Sequence, residues 1–137
     1  MRQRLLIGTL AAAVVTGTAF AGSAQVAPRL LSAKAQARHL VLVARFGDLA
    51  PLDVRAASRP ATGQNGALLP ANVRLSARFV GAQAANGTRH WRSAGRLRRG
   101  VYWVQVSGEE TGGVTDCSPK LRNCVTHWSN VRRVVVS

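Results

Sequence analysis

The segments LRRGVYWVQV (97–106) and HWSNVRRVVV (127–136), separated by a polar stretch that carries both cysteines, decide how this chain is read. In the first, Tyr102, Val104 and Val106 alternate with Val101, Trp103 and Gln105, the period of two expected of a strand with one face buried. In the second, a valine-rich run over 131–136 follows Ser129-Asn130 and closes the sequence. Two strands and a connecting loop make a hairpin, and an isolated hairpin buries too little apolar surface to stand alone. A second sheet must cover it. The alternation places Tyr102, Val104 and Val106 inward, and Val101, Trp103 and Gln105 outward.

Upstream residues repeat the same period. Over 38–46, Leu40, Leu42, Ala44 and Phe46 share one face, with His39, Val41, Val43 and Arg45 opposite; Gly47-Asp48 ends the run. Leu52, Val54 and Ala56 predict a short strand, with Asp53 and Arg55 turned to water. Residues 58–70 hold Pro60, Gly63, Asn65, Gly66 and Pro70 and read as a surface connection between sheets. From 73 to 80, Val73, Leu75, Ala77 and Phe79 alternate with Arg74, Ser76, Arg78 and Val80. Residues 81–87 are turn-like, and 89–93 around Trp91 supply one more short strand. No repeat and no sustained helical period is present. Short strands with turn residues between them predict an all-β chain, a sandwich or a barrel.

The first 21 residues stand apart. Arg2 and Arg4 precede an apolar run over 5–15, and Ala19-Phe20-Ala21 meets the small-x-small rule for cleavage before Gly22. The rival reading is an uncleaved anchor, but the stretch 5–21 is short and diluted by glycine and threonine. No other apolar run approaches spanning length, so no transmembrane segment is expected once the signal peptide is removed. Residues 22–36 then form an N-terminal arm, either loose or with a first short strand around 29–31, and 37–137 form the domain.

At this point residues 97–106 carry a resemblance. Leu97-x-x-Gly100-x-Tyr102-x-Val104-x-Val106 resembles strand F of fibronectin type III and related bacterial immunoglobulin-like domains, and Ser129-Asn130-Val131 leading into 134–136 is similar to their last strand. The resemblance implies an immunoglobulin-like antiparallel β-sandwich, with Tyr102 making a tyrosine corner by bonding back to upstream backbone. The family's B–F cysteine pair and strand C tryptophan have no counterpart here. Domains of this kind usually bind or space other molecules.

Charge narrows the partner more than the motif does. Removing Arg2 and Arg4 leaves 17 of the 19 basic residues against five acids, a net charge of +12, with lysine only at 34 and 120. Such an excess favours anionic partners: an envelope polymer, an acidic surface glycan, nucleic acid or lipid. Dispersed arginines also suit a merely soluble exported domain. The densest group is Arg96, Arg98 and Arg99. With Trp103 outward and Trp128 opening the neighbouring strand, these five residues are the candidate ligand-binding set, guanidinium groups holding anions and indole rings stacking on sugars or bases. The opposing reading has the rings covering the sandwich edge or packing on arginine stems.

Cys117 and Cys124, the only cysteines, lie among loop formers in an exported chain and predict a disulfide that stabilises its loop by about 2–3 kcal/mol. A zinc site using Cys117, Cys124 and His127 is the lesser alternative and lacks a fourth ligand. His39, His90 and His127 are scattered. No paired carboxylates, nucleophile elbow, His-Glu-x-x-His run or phosphate loop is present, so neither an enzyme nor a cofactor is expected. Asn86-Gly87-Thr88 matches a glycosylation sequon. The sequence thus leads to a secreted or envelope-associated, basic β-sandwich that binds an anionic envelope polymer or surface glycan. The alternatives are a structural or protein-interaction domain joining a partner through a sheet edge and, third, a metal-dependent hydrolase.

Overall fold

A computed structural model describes residues 27–110 and 125–137. Eight strands are present among them: β1 (Arg29–Gln36), β2 (His39–Arg45), β3 (Ala50–Ala57), β4 (Val73–Arg78), β5 (Thr88–Arg92), β6 (Gly100–Glu109), β7 (Thr126–Trp128) and β8 (Arg132–Val136), with one short 3-10 turn at Pro70–Asn72. They form two antiparallel sheets. One has the order β1-β2-β5; the other has the order β4-β3-β6, with β7 and β8 both paired to β6. No helix among the described residues is long and apolar enough to cross a membrane.

The core lies between the sheets and follows the alternation of the sequence. Leu40, Leu42 and Ala44 of β2 meet Val54 and Ala56 of β3, Val104 and Val106 of β6, and Val134 and Val136 of β8. Phe46, Phe79 and Trp91 close one side, with ring centroids 4.9 Å apart for Phe46–Phe79 and 6.4 Å for Phe79–Trp91. Burying each such side chain contributes about 1.5–3 kcal/mol, so this interior is the main favourable term. Trp91 is a core residue, its indole N–H donating to the Arg78 carbonyl at 3.0 Å.

Strand β1 is longer than the short strand expected at 29–31. Its inward residues Ala33 and Ala35 are small, and a register shift between Leu30 and Ser32 lets Leu30 also turn inward. A bulge and two alanines hide the period that marks a strand in sequence. The β1–β2 turn holds two non-glycine residues in the left-handed region, Ala37 at φ 51° and Arg38 at φ 66°. Such two-residue turns favour Asn-Gly because both φ values are positive. Arg38 is held there by its partners: its carbonyl accepts from Leu97 N at 2.8 Å and its Nε donates to Leu97 O at 3.0 Å.

Two expectations of exposure need correction. Gln105 is fully buried, and residues 58–70 fold back over it instead of running free between the sheets. Leu68, also fully buried, donates its N–H to Gln105 Oε1 at 2.9 Å, while Gln105 Nε2 donates to Gly66 O at 2.7 Å and Ser129 O at 2.9 Å. The loop itself is a small hairpin closed by Thr62 and Leu68. An outward polar residue can be buried this way because every one of its polar groups is satisfied. The sequon site is a tight turn in which Asn86 Oδ1 accepts from Thr88 N at 3.1 Å and Thr88 Oγ1 at 2.6 Å.

The strand opposite β6 is interrupted between β7 and β8. Ser129 bridges the break: its N–H donates to Val106 O at 2.9 Å and its Oγ accepts from Val106 N at 3.0 Å. Next to it, Asn130 pairs its side-chain amide with Leu30 of the other sheet, accepting from Leu30 N at 2.8 Å and donating to Leu30 O at 3.0 Å.

Two substitutions check this account. Gln105→Ala leaves the Leu68 N–H and two carbonyls without partners and should cost about 2–4 kcal/mol in urea unfolding. Ala37→Asn, which tolerates positive φ, should raise stability by about 0.5–1 kcal/mol in the same assay.

Candidate functional site: an arginine-lined cleft

The connection from β5 to β6 crosses from the three-stranded sheet to its partner and is pinned along its first half to the start of β2. Ser93 N donates to Leu40 O at 2.9 Å, Ser93 Oγ accepts from Leu40 N at 2.9 Å and donates to Gly95 O at 2.7 Å, and Leu97 pairs with Arg38 as above. Leu97 is the plug: only 7% exposed, it packs into the core cluster. The second half is closed by Tyr102, whose hydroxyl donates to the Arg98 carbonyl at 2.8 Å. Gly100 sits at φ 152°, a conformation side chains with a Cβ rarely adopt. The Leu-x-x-Gly-x-Tyr spacing therefore has a local cause. Leucine anchors, glycine permits the bend, and tyrosine locks it.

This arch displays Arg96, Arg98 and Arg99, all exposed. Arg74 of β4 joins them from the neighbouring strand, and together they border a cleft of about 620 Å³ whose apolar surface comes from Leu75, Leu97, Val101 and Tyr102. Arg74 Nη1 donates to the Ala71 and Val73 carbonyls at 3.2 and 3.4 Å. Among the described residues none of the four guanidinium groups is in an ion pair, and those of Arg96, Arg98 and Arg99 make no hydrogen bond. Each carries five N–H donors in a planar fork suited to bidentate capture of a carboxylate, phosphate or sulfate. Among the described residues no carboxylate, imidazole or thiol lines the cleft. What it offers chemically is donors and positive charge.

The structure brings the three predicted arginines together and separates them from both predicted tryptophans. Trp103 follows Tyr102 on β6 and so lies on the other face of the sheet, half-buried, opposite Ala57 and Arg133. Trp128 pairs with Ser107, seven residues or roughly 23 Å along β6 from Gly100. Its ring is covered by the Arg55 guanidinium at 4.5 Å, a cation–π pair on the outer sheet face. Arg74 belongs to the cleft but was not among the predicted site residues. Only the pairing of β4 with β3 brings it there, and no local pattern reveals that pairing.

The histidines do not converge. His39 Nδ1 lies 3.0 Å from Ser93 O, His90 is exposed on β5, and His127 Nε2 lies 2.6 Å from Glu110 Oε2. Among the described residues no three His, Cys, Asp or Glu side chains group together. Cys117 and Cys124, with the expected disulfide and the alternative zinc set, lie outside the described residues, as does the expected signal peptide.

No family model, curated protein or solved structure matches this chain.

Tyr102→Phe removes the bond that closes the arch and should cost about 0.5–1.5 kcal/mol. Gly100→Ala should cost more, because a Cβ opposes the required φ. Urea titration of both variants measures the order.

Proposed function

We propose that this protein is an exported binding module, an immunoglobulin-like sandwich of the fibronectin type III kind, that holds an anionic envelope polymer or acidic surface glycan at its arginine-lined cleft. The observation that carries the reading is the gathering of Arg74, Arg96, Arg98 and Arg99 around one cleft with no acidic partner among the described residues. Like charges held together on a rigid arch repel, and an anion that settles among them relieves the repulsion. The apolar floor formed by Leu75, Leu97 and Tyr102 gives a sugar ring or acyl group a surface to lie on.

Several features support the finer parts of this reading. Three strands face five, successive connections cross between the sheets at β2–β3, β4–β5 and β5–β6, and the tyrosine hydroxyl bonds four residues upstream. The basic, apolar and small-residue order of 1–21 supports export, and two cysteines in a loop-forming stretch suit an oxidising compartment. Trp103 and Trp128 take no part in the cleft. Sugar contact falls instead to Tyr102.

The test is titration with a polyuronate and with inorganic polyphosphate at several salt concentrations. Affinity should fall about tenfold to a hundredfold between 50 and 200 mM salt, and R96A/R98A/R99A should flatten the log–log slope by about three. Among the described residues the three side chains make no hydrogen bonds, so the variant should unfold as the parent does. Binding indifferent to salt and to the triple substitution overturns the reading.

A further inference from the structure

Charge is divided unequally between the two sheets. Strands β1, β2 and β5 contain no acidic residue. The described acids all belong to the opposite sheet or to the segments joining it: Asp48 before β3, Asp53 on β3, and Glu109 and Glu110 at the end of β6. The outer face of the three-stranded sheet is defined by register. Lys34 and Arg92 both pair with Val41, so they share a row about 10 Å across. His90 pairs with Val43 one row along, and Arg45 lies two residues further down β2. Lys34, Arg92 and His90 are exposed and make no hydrogen bond or ion pair among the described residues.

That face runs directly into the arch. Residues 93–97 lie against the start of β2, with Arg38 bonded to Leu97 and His39 to Ser93, so among the described residues no acidic side chain separates the sheet from the cleft. From Arg45 to Arg38 the face spans about 23 Å at strand spacing. It is built of strands alone. A flat cationic face recognises charge spacing and cannot discriminate one monomer from another, whereas a cleft can enclose a single unit.

We infer that the outer face of the β1-β2-β5 sheet is a second, extended binding track, continuous with the cleft through Arg38 and His39, and that the ligand is a linear polymer bearing an oxyanion on successive repeats. The inference rests on the proposed cleft function and assigns its two parts different tasks. The cleft holds one unit, and the sheet holds the chain that continues from it. Affinity then grows with chain length, because the second contact becomes intramolecular once the first is made.

The experiment compares tripolyphosphate with polyphosphate of about sixty units, at low salt, on the full chain. Lys34→Glu with Arg92→Glu should weaken the long chain by tenfold or more and tripolyphosphate by less than twofold. Arg78→Glu with Arg133→Glu, on the opposite sheet, changes net charge equally and should weaken the long chain far less. Equal losses in the two double variants, or no loss in the first, overturn the track. If R96A/R98A/R99A still binds tripolyphosphate like the parent, the cleft reading fails and the continuity fails with it, whatever the sheet variants do.

Discussion

The paired amide of Asn130 with the backbone of Leu30 is the joint on which the sandwich depends. Sheets packed face to face meet mainly through side chains, and a two-point hydrogen bond adds a directional constraint on their relative position. Here one side chain supplies a donor and an acceptor to a residue one hundred positions earlier. Arg132 adds a third bond to the same carbonyl. The joint falls where the strand opposite β6 breaks, between β7 and β8. Ser129 makes the break tolerable by replacing the missing ladder bonds, and its carbonyl passes the network on to Gln105 and the covering loop. A line of satisfied polar groups thus runs from one sheet, through the other, to the far surface. Such networks specify a unique arrangement when every member is paired.

The same economy explains the arch. Its backbone is committed at Ser93, Leu97 and Tyr102, so its arginine side chains are left without internal duties. Several arginines elsewhere are engaged: Arg55 covers Trp128, Arg132 reaches Leu30, and Arg89 donates to Gly81 O and Gln83.

Much of the fold was legible in the sequence, and the reasons for the gaps are physical. The strands over 38–46, 73–80 and 100–106 stood out because one face of each is apolar and the other is not. β1 was underestimated because alanines carry its inward face and a bulge shifts its period. Gln105 was assigned outward, and it is outward; what its alternation could not reveal is that a loop forty residues earlier returns to cover it. Among the candidate site residues, Arg96, Arg98 and Arg99 were visible as a cluster because they are adjacent in sequence. Arg74 was not, since its place depends on strand pairing, and the tryptophans were grouped with the arginines on proximity in sequence that strand geometry does not respect.

Strands β1 and β8 run in the same direction, because the β1–β2 turn and the end of β8 both lie at the arginine end of the sandwich. Residues 27 and 137 therefore leave from opposite ends. Tension between them acts lengthwise, pulling β1 one way and β8 the other, and loads the Leu30–Asn130 and Leu30–Arg132 bonds together in shear instead of peeling them apart one by one. The joint that aligns the sheets thus lies across the line along which such tension acts.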